Sequence, residues 1–115
     1  MSDNKDKLVV LWTSADREVA LNMVFMYTIN AKLRGWWKEV TLVVWGPSAK
    51  LLSEDKDLRD RIGGIKGSGV EILACKACTD DYGITESLEK LGIKVIYMGE
   101  SLTCYLKDDI KIITF

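Results

Sequence analysis

The chain has 115 residues, of which 48% are apolar and 29% are charged, a size and composition typical of one globular domain. Its 16 basic and 17 acidic side chains give a formal net charge of −1. Nucleic-acid-binding proteins usually carry a basic excess, so this partner class is excluded. The chain has no histidine, which excludes histidine-based catalysis. It has three cysteines, an odd number that without histidine does not suit a zinc site. We therefore expect no metal ion, and we expect no cofactor.

The N-terminal region predicts a protein without a membrane segment or signal peptide. Residues 1–6 are mostly polar, and we expect them to form a disordered tail of a single domain over 1–115. The apolar run that follows, 8–12, is too short for a signal-peptide core or a membrane span. We therefore expect a cytoplasmic protein whose cysteines remain reduced.

The first predicted elements are a buried strand and a long helix. Residues 8–12 form a continuous apolar run, typical of a strand covered on both faces. Thr13 or Ser14 is expected to cap a helix over 16–34, which stops at Gly35. The apolar positions of this helix cover more than one stripe, so a second surface, such as another subunit, is expected to cover it.

The rest of the chain continues to alternate between strands and helices. Strands are predicted over 40–45, 70–74, 94–97 and 110–114, and helices over 48–52, 55–65, 79–91 and 102–107. The connections are too long for hairpins. This alternation predicts an α/β fold, a three-layer α/β/α sandwich with a mostly parallel five-stranded sheet and right-handed crossovers.

Ligands of such sheets bind beyond the carboxyl ends of the strands, where loops and helix N-termini converge. The candidate binding residues are those that follow the strands: Thr13, Ser14, Gly46, Pro47, Lys76, Met98 and Gly99. Only the loop after the third strand contains a strong nucleophile. Cys75 and Cys78 are therefore the candidate catalytic residues.

The reactivity of Cys75 and Cys78 depends on how readily each forms a thiolate. A helix beginning near Thr79 and the cation of Lys76 would favour the anion, whereas Asp80 and Asp81 would disfavour it. In an alternative interpretation, both cysteines are small apolar packing residues. We expect the third cysteine, Cys104, to pack in the core on a short amphipathic helix.

The spacing of Cys75 and Cys78 allows a disulfide across one helical turn, so a dithiol–disulfide redox protein is a second alternative. Thioredoxin-like proteins carry a cis-proline strand after this motif. Here the single proline, Pro47, precedes the cysteines. A thioredoxin fold is therefore not predicted.

The segment Glu71–Ile84 (EILACKACTDDYGI) resembles the DsrE/DsrF-like family of small sulfur-relay proteins. The resemblance extends from Lys7 to Phe115 and includes the strand that closes in Trp45-Gly46-Pro47. In sulfur-carrying members a cysteine lies eight residues before a glycine, and Cys75 and Gly83 keep this spacing.

The resemblance implies a DsrEFH-like fold and a sulfur-relay or sulfurtransferase activity. Cys75 would accept a sulfane sulfur as a persulfide and pass it on, with Cys78 resolving or assisting. The implied partners are sulfur donor and acceptor proteins and further copies of the chain in a homo-oligomer, a trimer or hexamer. A non-catalytic oligomeric module that binds a ligand or a protein remains a further alternative.

Overall fold

The computed structural model describes residues 3–115, which contain a five-stranded sheet in the order β4-β3-β2-β1-β5. The strands are β1 (Lys7–Trp12), β2 (Glu39–Val44), β3 (Glu71–Cys75), β4 (Lys94–Ile96) and β5 (Lys111–Thr114). All four pairings are parallel. The predicted mostly parallel five-stranded sheet is thus confirmed. Of the expected tail 1–6, residues 1 and 2 lie outside the described residues, and Asp3–Asp6 form a 3₁₀ turn.

Helices connect the strands as the alternation predicts. The connection from β1 to β2 is the helical segment α1 (residues 17–33), which consists of Arg17–Val19, a π-helical stretch Ala20–Phe25, and Met26–Leu33. The others are α2 (Pro47–Glu54), α3 (Lys56–Gly67), α4 (Lys76–Tyr82), α5 (Thr85–Glu89) and α6 (Met98–Lys107). Each strand therefore begins again at the same edge of the sheet, and the carboxyl ends of β1 to β4 meet at the opposite edge.

The two faces of the sheet form cores of different size. Alternate strand residues such as Val10, Trp12 and Leu42 are fully buried on one face and pack against side chains from α1, α2, α3 and α5. The other face contributes Val9, Val43, Leu73 and Cys75 to a smaller core with Met98 of α6. Burial of one large aliphatic side chain stabilises the fold by about 1.5–3 kcal/mol. Helices on both faces confirm the three-layer sandwich.

The N-cap of α1 is Asp16, which corrects the prediction that Thr13 or Ser14 caps this helix. The Asp16 carboxylate accepts hydrogen bonds from the backbone N–H groups of Glu18 and Val19 at 2.9 and 3.2 Å. The Ser14 hydroxyl instead accepts from the Asp16 N–H at 3.0 Å. The N–H groups of Thr13 and Ser14 both donate to the Phe115 carbonyl beside β1, at 2.7 and 3.1 Å, so the helix begins only after these residues.

The predicted helix 79–91 is two helices, α4 and α5, and α4 begins at Lys76 rather than near Thr79. Gly83 separates them with a φ of +70°, a backbone conformation that favours glycine. The Ile84 N–H closes the end of α4 on the Thr79 carbonyl at 2.9 Å. The apolar spacing of Ile84 and Leu88 continues the period of a single helix, so the pattern alone does not reveal the break.

We expect Asp16→Ala to lower the free energy of unfolding by about 1 kcal/mol, because two N–H groups of the first turn lose their acceptor. Asp16→Asn keeps an acceptor oxygen and should recover most of this loss. Urea unfolding followed by circular dichroism measures both variants. Equal stability of Asp16→Ala and the unsubstituted protein would contradict the assignment of the cap.

Candidate functional site

Cys75 and Cys78 lie together where β3 passes directly into α4. Cys75 is the last residue of β3 and the N-cap of α4, with extended backbone angles (φ −74°, ψ 114°) and no capping hydrogen bond from its side chain. Cys78 lies in the first turn of α4, and the neighbouring Cys75 sulfur contributes to the raised pKa of its thiol. All three cysteines of the chain are free thiols. The two sulfurs can therefore act as a pair.

The two sulfurs differ in their access to solvent. Cys75 is 4% exposed and packs in the smaller core with Val43, Leu73 and Met98. Cys78 is only partly buried, at the border of the same core. A reagent from solution therefore meets Cys78 more readily than Cys75.

The loop between β2 and α2 reaches the sulfur pair through Gly46. The backbone N–H of Gly46 acts on the Cys78 thiol and lowers its pKa. Gly46 has a φ of +74° and a ψ of −137°, a combination that is almost restricted to glycine. A β-carbon at Gly46 would meet no atom within 4 Å, so the backbone angle and not the available space requires glycine here.

Ser48, which the sequence analysis did not select, holds this loop in place. It is fully buried, and its hydroxyl donates to the Trp12 carbonyl at 2.6 Å and accepts from the Trp45 N–H at 3.2 Å. Its own N–H donates to the Thr13 carbonyl at 3.1 Å. Ser48 thus joins the ends of β1 and β2. The sequence feature that could have identified it is a small hydroxyl residue directly after Gly46-Pro47.

The pKa of the Cys78 thiol is raised, chiefly by its burial and then by the neighbouring Cys75 sulfur. The Gly46 N–H acts in the opposite direction because it stabilises a negative sulfur, and the Asp81 carboxylate adds a further small increase. At neutral pH the Cys78 thiol therefore keeps its proton beside Cys75.

Lys76, the cation that the sequence analysis placed beside the cysteines, forms an ion pair with a carboxylate. Its ammonium donates to Asp80 at 2.8 Å, which raises the pKa of Lys76 and lowers that of Asp80. The ammonium also lies 5.7 Å from the centre of the Tyr97 ring, and Asp80 accepts a second hydrogen bond from Thr85. The charges of Lys76 and Asp80 largely offset each other, so neither dominates the field at the sulfurs.

The remaining predicted binding residues divide into two groups. Met98 packs in the same core as Cys75, and Gly99 follows it in the first turn of α6. Thr13 and Ser14 are instead bound to the end of the chain, because the Phe115 carbonyl accepts from both of their N–H groups and from the Thr13 hydroxyl. Gly46 and Met98 thus lie near the cysteines. Thr13 and Ser14 instead form hydrogen bonds with the Phe115 carbonyl.

Pro47 lines a cleft of about 360 Å³ beside α4 together with Ala15, Lys50, Leu51, Glu54 and Tyr82. Tyr82 lies four residues after Cys78, so the two side chains are on the same side of α4. The cleft therefore lies on the side of α4 that also carries Cys78, although Cys78 does not line it.

Cys104 does not belong to this site, and the expectation that it packs in the core is wrong. It is exposed on α6, because this helix buries Met98 and partly buries Tyr105 against the sheet. Cys104 falls on the outer side of the same helix.

The structure was also searched for metal ligands and membrane segments. Within residues 3–115 there is no group of three or more acidic or cysteine side chains placed to hold a metal ion. None of the helices in that range has the length and apolar character needed to cross a membrane.

We expect brief alkylation of the folded protein at neutral pH to modify Cys104 first, Cys78 more slowly and Cys75 last. The order follows from exposure of the three thiols and from the raised pKa of Cys78, since the thiolate is the form that reacts. Peptide mass spectrometry after a timed quench with acid measures each site. Modification of Cys75 as fast as Cys104 would contradict the burial of Cys75.

Comparisons with known proteins agree with this architecture. The sequence model of the DsrE/DsrF-like family matches residues 6–115. A solved structure, a conserved protein of unknown function named BT1422 from Bacteroides thetaiotaomicron, is 39% identical with a TM-score of 0.97 and covers 100% of this chain and 99% of its own. The comparison with curated proteins gives no significant match. The chain belongs to the DsrE/DsrF-like family.

Proposed function

We propose that this protein carries sulfane sulfur, with Cys75 as the sulfur that holds the persulfide and Cys78 as its partner. The observation that supports this most directly is the pair of free thiols, Cys75 and Cys78, at the carboxyl end of β3 and the start of α4. Membership in the DsrE/DsrF-like family supports sulfur relay at the level of the family. The buried position of Cys75 would protect a bound persulfide from water.

The proposed reaction is a transfer of one sulfur atom in two displacements. The Cys75 thiolate attacks the terminal sulfur of a polysulfide or protein persulfide, so a new S–S bond forms as the donor's S–S bond breaks. A protein donor leaves as a thiolate, and a polysulfide leaves as an anion shortened by one sulfur. An acceptor thiolate then attacks the outer sulfur of the Cys75 persulfide, and Cys75 leaves as a thiolate. No net oxidation occurs, and the protein returns to its starting state.

A dithiol–disulfide redox protein is the second candidate, since Cys75 and Cys78 are free thiols separated by one helical turn. In this reaction an external disulfide would oxidise the pair and would itself be reduced to two thiols. The two candidates differ in mass: a carried sulfur adds mass to the protein, whereas an internal disulfide removes two hydrogens.

We expect incubation with inorganic polysulfide, followed by desalting and intact mass spectrometry, to give a mass increment of one sulfur. The increment should disappear in Cys75→Ser, because the carrying sulfur is lost. It should persist in Cys104→Ser, the matched control, because Cys104 is a thiol outside the pair.

No increment in the unsubstituted protein, or an equal increment in Cys75→Ser, would exclude persulfide carriage at Cys75. A loss of two hydrogens without added sulfur would favour the redox candidate. If both serine variants at positions 75 and 78 kept full affinity for a ligand or partner protein, the non-catalytic binding module would be favoured instead.

We further propose a cytoplasmic location, which suits a protein that works through reduced thiols, and a homo-oligomer in which the outer face of α1 is covered. Met23 and Met26 are 50% and 54% exposed on α1, and Trp36 is 55% exposed just after it. An open groove of about 440 Å³ lies between α1 and α3 beside Met26. Exposed apolar side chains grouped in this way are typical of an interaction surface.

Met26→Glu should shift the protein to the monomer of 13.0 kDa, because a carboxylate at this interface would have to be desolvated. Size-exclusion chromatography with light scattering measures the mass. The matched control is Leu106→Glu, which changes a 60% exposed apolar residue on α6, in the opposite layer. A monomeric unsubstituted protein at micromolar concentration would refute the oligomer.

A further inference from the structure

Exposed aromatic side chains flank the sulfur pair at the carboxyl edge of the sheet. Tyr82 lies one helical turn after Cys78 on α4 and is 41% exposed. Tyr97 follows β4, in which Ile96 pairs with Cys75, and is 66% exposed. Tyrosine is enriched where proteins contact each other, because its ring offers apolar area and its hydroxyl a polar group. The edge that carries the two thiols therefore has side chains typical of a protein-contact surface.

Tyr82 also lines the cleft of about 360 Å³ beside α4. Pro47 and Leu51 contribute apolar groups to this cleft, and Lys50 and Glu54 are its two charged members. A molecule that contacts Tyr82 can therefore place an apolar side chain in the cleft.

The cations that begin α1 and α4 are held in ion pairs. Arg17 contacts Asp55 and Asp57 at 2.6 and 2.7 Å, and Lys76 contacts Asp80 at 2.8 Å. Their positive charge is therefore offset within the protein.

Carboxylates at the same edge are left without such partners. Within residues 3–115, Glu54 in the cleft, Asp81 on α4 and Glu100 in the first turn of α6 are exposed and form no ion pair. Against these three carboxylates stands Lys50, the exposed cation of the cleft. The charge that faces an approaching molecule is therefore negative.

The stability of α4 does not explain Asp81. This residue lies in the last turn of the helix, where the negative end of the helix dipole disfavours a carboxylate. Asp80 in the same turn is compensated by Lys76 and Thr85, whereas the Asp81 side chain has no such contact among the described residues. Asp81 follows Cys78 by three residues, so the two share a face of α4. The charge of Asp81 therefore acts on a molecule that approaches Cys78.

We propose that the protein that exchanges sulfur with this site presents lysine or arginine side chains around its reactive thiol, and that it docks on the surface formed by Cys78, Asp81, Tyr82, Tyr97 and Glu100. This inference rests on the proposed function. Basic side chains complement the negative charge of this edge, and the cleft beside Tyr82 receives an apolar group of the partner. The same charge slows the approach of small sulfur anions such as polysulfide.

The test uses two synthetic peptides whose cysteine is activated as a thiopyridyl disulfide. Both carry a leucine directly before the cysteine, and the flanking residues are lysines in one peptide and glutamates in the other. The Cys78 thiolate attacks the peptide sulfur, a mixed disulfide forms, and pyridinethione leaves with the electron pair of the broken S–S bond. The initial release of pyridinethione from a Cys104→Ser background, at a fixed pH, is divided by the rate of each peptide with free cysteine.

The lysine peptide should react about tenfold faster than the glutamate peptide at low salt. This ratio should fall toward one at about 1 M salt, where the Debye length is about 3 Å. Asp81→Asn should lower the ratio about threefold, because one negative charge beside Cys78 is removed. The matched control, Glu71→Gln, removes an exposed carboxylate at the start of β3, at the opposite edge of the sheet, and should leave the ratio unchanged. The thiolate fraction of Cys78 is the same for both peptides and cancels in the ratio.

A third peptide, with glycine in place of the leucine of the lysine peptide, tests the cleft. Tyr82→Ala should slow the leucine peptide more than the glycine peptide, because one wall of the cleft is lost. Tyr82→Phe keeps the ring and should restore the rate. An equal effect of Tyr82→Ala on both peptides would exclude the cleft from the docking surface.

Equal rates of the lysine and glutamate peptides at low salt, a faster glutamate peptide, or an equal effect of Asp81→Asn and Glu71→Gln would overturn the proposed partner. These rates involve no persulfide. A lysine preference in a protein that fails to load sulfur would therefore refute the proposed function and support the docking surface. Sulfur loading without a lysine preference would support the proposed function and refute the basic partner.

Discussion

The hydrogen bonds of the buried Ser48 hydroxyl hold together the ends of β1 and β2, at the edge of the sheet where the sulfur pair lies. By donating to the Trp12 carbonyl and accepting from the Trp45 N–H, the hydroxyl satisfies backbone groups at the ends of two neighbouring strands. A buried polar group left unpaired costs about 1–3 kcal/mol. Movement of the Ser48 hydroxyl, the Trp12 carbonyl or the Trp45 N–H away from the other two would incur this cost. The position of the first turn of α2, which contains Ser48, follows from this arrangement.

The pKa of the Cys78 thiol depends on burial and on backbone groups more than on charged side chains. Lys76 and Asp80 neutralise each other across one turn of α4, and both are partly exposed, where such pairs contribute little. The Gly46 N–H, by contrast, lowers the pKa of Cys78 at the edge of an apolar core. In such surroundings one fixed dipole has more effect than an exposed ion pair.

The two cores differ in size, and this difference explains why the two cysteines have different surroundings. The larger core, under α1, α2, α3 and α5, contains neither cysteine of the pair. The smaller core lies under α6, and Cys75 points into it beneath Met98. Cys78 lies one helical turn further on, where this core ends, and is therefore partly open to solvent. A transferred sulfur would thus sit at the boundary between a dry core and water.

The sequence by itself determined the architecture. Continuous β-branched runs such as Leu8–Trp12 identify strands covered on both faces, and their alternation with helical segments requires a parallel sheet. The same reasoning placed Cys75 at a strand end, because the apolar run of β3 stops there. The pairing of Cys75 with Cys78 across one helical turn also follows from local spacing alone.

Only the tertiary structure decided what surrounds these sulfurs. The hydrogen bond from Ser48 to Trp12 joins residues 36 positions apart in the chain, and no local pattern encodes which loop meets which strand. The exposure of Cys104 and the burial of Cys75 depend likewise on how α6 lies over the sheet. Periodicity describes one element at a time, whereas burial and the direction of a hydrogen bond arise from the packing of several elements.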